Sequence, residues 1–328
     1  MPSVVRRLAA VMTVVPSLGA MACAAILGFD PYSAEPQDGG GDVHLTDAPS
    51  ETGVIDAGPC DPDKEFSSTT ESVRGISDLG WASVRSATLS RDELHIYFHG
   101  FVKQGAPEDI YTATRDSLTE PFKDVVPLRN VNDGGLDLNP AVSADEKSLV
   151  FVRQTGPTNN DYDLFFTWRG DPDADFAPPQ PLNDLNSPAA ELTPFLTLNG
   201  AELWFSSRRQ DGGASQIFRA CASGGTFIDA EPMASPDVTS TRQEGPVLSA
   251  DGKILFYSGN GQGAQDNYDI WEARRETTNA PFKVRRRVNE LSGGALDYPS
   301  WLSPDGCRLY VHSLFNHFGE IRMAVRQR

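Results

Sequence analysis

The sequence predicts an all-β fold, a five-bladed β-propeller of four-stranded antiparallel blades. Three observations predict it. A unit of roughly fifty residues recurs five times. Within each unit apolar and polar residues alternate with period two between turn-forming residues. The chain also ends one strand short of a complete fifth unit, and a strand of the missing kind stands before the first unit.

The repeat is carried by a turn, two strands on either side of it, and an outer strand. The turns LSRDE, VSADE, LTLNG, LSADG and LSPDG centre on Asp92, Asp145, Asn199, Asp251 and Asp305, spaced 53, 54, 52 and 54 residues apart. An alternating apolar pair follows four and six residues later: Ile96/Phe98, Leu149/Phe151, Leu203/Phe205, Leu255/Tyr257 and Leu309/Val311. A third strand begins at Asp109, Asp163, Gln216, Asp269 or Glu320, with Arg115, Arg169, Arg275 or Arg326 six residues on; the third repeat has no such Arg. The outer strand opens on Phe122, Phe176, Phe227 or Phe282. Asp-Gly pairs suit tight hairpins, which require positive φ. Four short strands per unit without helices make a propeller blade, and each blade needs its neighbours to cover its faces.

The register also dictates closure. The last unit lacks its Phe strand, and the segment from Phe66 to Ile76 has no unit of its own. Placing that segment in the last blade gives three C-terminal strands plus one N-terminal strand and removes two open sheet edges. The propeller is therefore expected to span residues 66–328.

Residues 1–22 read as a signal segment: Arg6 and Arg7 precede an uncharged stretch over 8–29, and Ala20-Met21-Ala22 fits a cleavage site ahead of Cys23. Small residues before a Cys resemble a bacterial lipobox, which makes Cys23 the expected lipidation site. Simple secretion and an uncleaved membrane anchor are the alternatives, and all three export the rest of the chain. Residues 23–65 carry ten acidic side chains and one Lys, show no periodicity, and read as a disordered acidic tether. The net charge of −17 disfavours nucleic acid as a partner.

The segments NPAVSADEKSLVFV, TPFLTLNGAELWFSSRR, GPVLSADGKILFYS and YPSWLSPDGCRLYVHS resemble the Pro-Asp repeat of TolB-like propellers, which is related to WD repeats. Signal, acidic tether and repeat together are similar to exported propeller lipoproteins of myxobacteria. The resemblance implies an envelope location and specifies no ligand. The third repeat departs from the pattern at Asn199 and at its missing Arg, which predicts a looser third blade.

Catalytic signatures are absent from the sequence. There is no Gly-x-Ser-x-Gly elbow, His-Glu-x-x-His or Cys-x-x-Cys. His44 lies in the tether, His317 in a loop, and His95, His99 and His312 on or near strands, where they read as ordinary strand or surface residues. The repeat Asp residues read as turn caps, and the third-strand acids with the repeat arginines as surface pairs. Asp171, Asp173 and Asp175 begin like a calcium loop but lack its Gly and Glu, so neither a metal nor a cofactor is expected. One set of acids stands apart: Asp137, Glu191, Glu244 and Asp297 precede the turn residue by 8, 8, 7 and 8 positions. The family resemblance makes the following strand the innermost of its blade, so these four could ring one mouth of a central channel as a ligand site, or else cap bends or pair with the repeat arginines.

The expected function is a non-enzymatic binding or scaffold module for an envelope protein, peptide or glycan, working as a monomer and touching membrane only through its N-terminal lipid. The alternative is a five-bladed glycosidase-like hydrolase using the channel acids. Cys60 lies six residues before Phe66, and Cys307 follows the first turn of the last unit, so these two are expected to form a disulfide that locks the closure. Cys221 is then expected to stay a free thiol.

Overall fold

A computed structural model describes residues 59–326, except 104, 159, 211–213, 234–241, 262–267, 294–295 and 316–317. The signal segment, Cys23, nearly all of the tether, His44 and His317 fall outside the described residues.

The strands form five four-stranded antiparallel sheets. Strand β1 (Glu71–Ser72) comes first in the chain. Blade 1 is β2 (Ser83–Leu89), β3 (His95–Phe101), β4 (Asp109–Thr114) and β5 (Lys123–Pro127). Blade 2 is β6 (Asp137–Val142), β7 (Ser148–Gln154), β8 (Tyr162–Trp168) and β9 (Gln180–Pro181). Blade 3 is β10 (Glu191–Leu196), β11 (Glu202–Ser207), β12 (Gln216–Ser223) and β13 (Thr226–Pro232). Blade 4 is β14 (Gln243–Leu248), β15 (Ile254–Gly259), β16 (Asp269–Arg274) and β17 (Lys283–Arg287). Blade 5 is β18 (Leu296–Leu302), β19 (Arg308–Phe315) and β20 (Phe318–Val325), completed by β1. Glu71 pairs with Met323, Ser72 with Arg322, and Phe66 bridges to Arg326, which is the expected closure.

Each first turn is built as the repeat demands. Ser90 Oγ donates to Asp92 Oδ1 at 2.6 Å, and the Leu94 N–H donates to the same oxygen at 3.0 Å. Asp145, Asn199, Asp251 and Asp305 accept equivalent bonds in the other blades. The turn carboxylates therefore hold their own backbone, as an Asp in a tight turn does.

The core lies in the seams between blades. Tyr97, Leu149, Phe151 and Phe176 join blades 1 and 2, while Ile96, Phe98, Trp301 and Tyr310 join blades 5 and 1. The repeat arginines are part of these seams, which corrects their reading as surface pairs. Arg169 stacks over Phe176 at 4.3 Å, donates through Nε to the Glu146 carbonyl and through Nη2 to Tyr97 Oη, both across short distances (2.8 and 2.7 Å). Arg115 stacks on Phe122 and donates to Tyr310 Oη of blade 5; Arg275 lies over Phe282 and Trp204, and Arg326 over Phe66 and Phe256. A planar guanidinium suits this sandwiching between rings and carbonyls. The third-strand acids bond elsewhere: Asp269 to Arg287, Asp163 to Thr155 and Glu320 to Ser72.

Blade 3 keeps all four strands. Its β12 and β13 run for 8 and 7 residues and turn over Gly224-Gly225, with Ser223 paired to Thr226. Ala222 occupies the place of the missing Arg, because its N–H donates to the Ala201 carbonyl as the Arg169 N–H donates to Lys147.

The ring is closed covalently. Cys60 and Cys307 are joined in a disulfide with Cα atoms 5.1 Å apart, and the Cys60 N–H donates to the Asp305 carbonyl. Cys221 is also disulfide-bonded, which corrects the expectation of a free thiol. Disulfides of this kind belong to oxidising, extracytoplasmic compartments.

Candidate functional site: the mouth of the central channel

The innermost strands β2, β6, β10, β14 and β18 surround a channel. Each bulges at one point, between Arg85/Thr88, Leu138/Ala141, Leu192/Phe195, Glu244/Val247 and Pro299/Trp301. In four of them the bulge carries a left-handed residue: Ser86 (φ 50°), Asn139 (49°), Thr193 (46°) and Gly245 (64°). Strained positive φ at non-glycine residues persists only where surrounding bonds enforce it. Here they do: Asn139 Nδ2 donates to Ser86 Oγ at 2.7 Å and the Gly245 N–H to Thr193 Oγ1 at 3.0 Å, linking neighbouring blades. The cavity between these residues and Pro140, Pro194, Pro246 and Pro299 is only about 20 Å³, room for about one water. A ligand can therefore sit on this throat but not thread it.

The four sequence-predicted acids divide into two kinds. Asp137, Glu191 and Asp297 are fully buried and each accepts from the backbone N–H four residues earlier: Asp133, Ser187 and Gly293. Each also faces an arginine, Arg153 at 2.7 Å, Arg209 at 3.1 Å and Arg322 at 3.6 Å. These carboxylates fasten the loop entering each blade. Burial pushes the Asp137 and Asp297 carboxyls up despite the arginines.

Glu244 holds a different register. Asp137, Glu191 and Asp297 pair with Arg153, Ser207 and Ser313, and the residue matching them in blade 4 is Gln243, paired with Gly259. Glu244 pairs with Ser258 and so matches Arg85, Leu138, Leu192 and Tyr298, whose partners are His99, Val152, Ser206 and His312. The spacing of 7 where the others have 8 was the sequence signal for this shift. Burial pushes the Glu244 carboxyl up, opposed by Arg208 at 3.9 Å and by Arg242.

Around Glu244 the same end of the channel collects groups the sequence had not singled out. Glu108, Tyr162, Ser215 and Tyr268 hold equivalent places just before or at the start of the third strands. The Glu108 and Tyr268 carbonyls accept from the N–H groups of Asp137 and Asp297, which ties this layer to the first strands. Glu108 receives Arg85 Nη2 at 2.6 Å, and burial pushes its carboxyl up. Tyr298 stacks on His312 at 4.9 Å and on Tyr268 at 5.5 Å.

His99 and His312 are buried strand residues of adjacent blades, not surface ones. His99 Nδ1 accepts from the Asn139 N–H at 3.1 Å, while His312 Nδ1 lies 3.0 Å from Ser300 Oγ. Burial, with Arg85 nearby, pulls His99 well below the usual range and His312 down to about 3, so both rings are neutral at pH 7. The mouth thus offers neutral imidazoles, tyrosines, two carboxyls raised by burial and the cations Arg85 and Arg208.

Ring, bulged inner strands and channel define the class: a five-bladed β-propeller. No protein-family model matches the chain, and comparison with curated proteins finds no match. Solved structures are similar in fold. The family 117 glycoside hydrolase Zg3597 of Zobellia galactanivorans has TM-score 0.55 at 12% identity, covering 80% of this chain and 90% of that one. The catalytic domain of the Coprinopsis cinerea GH62 α-L-arabinofuranosidase has TM-score 0.52 at 10% identity, covering 80% and 97%. TolB from Acinetobacter baumannii has TM-score 0.49 at 16% identity, and the match spans 84% of this chain and 66% of the TolB chain. At such identities the likeness is one of fold alone.

Proposed function

We propose that this is an exported, non-enzymatic binding propeller that holds a peptide, protein loop or glycan end at the mouth of its channel. The observation that carries the reading is the register of Glu244. It sets one carboxyl of the repeat among Arg208, Arg242, Tyr268 and Tyr298, while its three counterparts are consumed by loop fastening. Polar groups of both signs beside stacked aromatic rings suit recognition of a polar chain end. Export is proposed with residues 1–22 removed as a signal segment.

A hydrolytic reading has one supporting observation, the two carboxyls Glu108 and Glu244 at the mouth. Two-carboxylate glycoside hydrolysis needs one raised acid and one ionised partner. Burial pushes both of these up, which favours hydrogen bonding to a ligand over an acid–base division of labour. The test is a pull-down from envelope extracts with a glycan array alongside, using wild type, Glu244→Gln and Tyr298→Ala. Retention lost in both variants, without product from any retained glycan, supports the binding reading. Released sugar that disappears in Glu244→Gln and Glu108→Gln would replace it with the hydrolase.

A further inference from the structure

Four of the five seams are filled by the same device. An arginine of one blade meets an aromatic residue of the preceding blade: Arg115 with Tyr310, Arg169 with Tyr97, Arg275 with Trp204 and Arg326 with Phe256. The seam between blades 2 and 3 has neither half. Ala222 stands in the arginine's place, and Val150 holds the aromatic position, pairing with Ala141 as Tyr97 pairs with Thr88.

Around Arg115, Phe122 and Tyr310, at the seam of blades 5 and 1, the remaining cavity is about 50 Å³. Beside the seam of blades 2 and 3 a cleft of about 1000 Å³ opens on the face of the first turns, reaching from Arg91 past the 143–148 turn and Trp168 to Asn199 and Phe227. A volume at the upper end of small-molecule sites suits an oligomer of rings better than a lone ion.

The lining has a definite chemistry. Trp168 is 45% exposed, and its ring stacks on Phe166 at 6.2 Å, which is held in turn by the edge of Phe227. The indole is therefore a fixed apolar platform facing water. Arg91 and Lys147 are exposed on the same cleft, and neither side chain has an ion pair or hydrogen bond among the described residues. On a chain of net charge −17 these are uncommitted cations. Asp145, the acid in the lining, is engaged by Ser143 Oγ and the Lys147 N–H. A flat aromatic face with cations at its rim matches a ring with an apolar face and an anionic substituent.

We propose that this cleft is a second binding site, separate from the channel mouth, and that it takes an acidic saccharide. The sugar ring stacks on Trp168, and its carboxylate or sulfate is received by Lys147 and Arg91. The proposal does not depend on the reading of the mouth.

Calorimetric titration of the mature full-length chain tests it with three probes: an oligogalacturonate, a sulfated heparin tetrasaccharide and neutral cellotetraose. The cleft predicts binding of at least one acidic probe, with the first two arms separating carboxylate from sulfate, and at least tenfold weaker binding of cellotetraose. Trp168→Ala and the double variant Arg91→Glu/Lys147→Glu should each weaken acidic binding at least tenfold with unfolding midpoints unchanged, since all three side chains are exposed. No binding of either acidic probe at millimolar concentration overturns the proposal. So does binding that survives Trp168→Ala, or that responds to Glu244→Gln instead.

Discussion

The seam arginines make a quantitative prediction, and Arg169 is the best case because its side chain is only 8% exposed. Arg169→Ala removes four interactions at once: stacking on Phe176, donation to the Glu146 carbonyl, donation to the Ala174 carbonyl, and donation to Tyr97 Oη. The stacking is worth about 1–2 kcal/mol where the cation is desolvated. Two carbonyls losing their donor cost about 1 kcal/mol each after relaxation and water entry. Glu146, 3.8 Å from the guanidinium, keeps Tyr97 Oη and His95 Nδ1 as partners, which limits its penalty. The Tyr97 bond adds about 0.5–1 kcal/mol, and the sum is about 3.5–5 kcal/mol. Arg169→Lys keeps the charge but not the fork or the flat face, and should recover less than half of it. The assay is guanidinium unfolding followed by tryptophan fluorescence, comparing both variants with Arg91→Ala as an exposed control. A loss under about 1 kcal/mol for Arg169→Ala, or full rescue by Lys, would return the repeat arginines to surface ion pairs.

The remaining predictions use other parts of the ring. Glu191→Ala should cost about 3–5 kcal/mol because the Ser187 N–H and the Ser187 and Ser207 hydroxyls lose their acceptor and Arg209 loses its ion-pair partner, whereas Glu244→Gln should be neutral or slightly stabilising at pH 7, where burial opposes the charged carboxyl; paired unfolding curves decide. His312 has its folded pKa pulled below the unfolded value, so its contribution is present above about pH 6.5 and is lost as pH falls. His312→Gln should therefore lose about 2 kcal/mol less than wild type between pH 7 and 5, read from unfolding midpoints across that range. The raised carboxyls act in the opposite sense, gaining stability as pH falls through their folded pKa values, but they are common to both proteins and cancel in the comparison. Breaking the 247-residue disulfide link should cost at most about 5.5 kcal/mol by the chain-entropy model, checked as the shift in unfolding midpoint of Cys60→Ser/Cys307→Ser.

How much of this was legible in the sequence follows from what a repeat can encode. Blade number, strand order, turn caps and closure all repeat or are conspicuous by omission, so the spacing of Asp92 to Asp305 and the stranded Phe66 segment sufficed. The channel acids were legible as a set but not as individuals. A spacing of 7 for Glu244 passes for a one-residue irregularity, yet in a strand of period two it moves a side chain to the other face. The seam arginines were misread because an Asp six residues before an Arg on a strand looks like a surface pair. Only the assembled ring brings the guanidinium over a Phe from the next strand of its own blade and an aromatic from the preceding blade. His99 and His312 lie 213 positions apart and meet only through closure of blade 5 on blade 1, a contact no local pattern carries.

Closure by the N-terminal strand is the claim on which the seams, the channel and both sites depend. Non-reducing peptide mapping of the exported protein tests it most directly. The expected product is a peptide containing Cys60 linked to one containing Cys307. Recovery of Cys60 linked to Cys221, or alkylation of Cys60 and Cys307 without reductant, would contradict it.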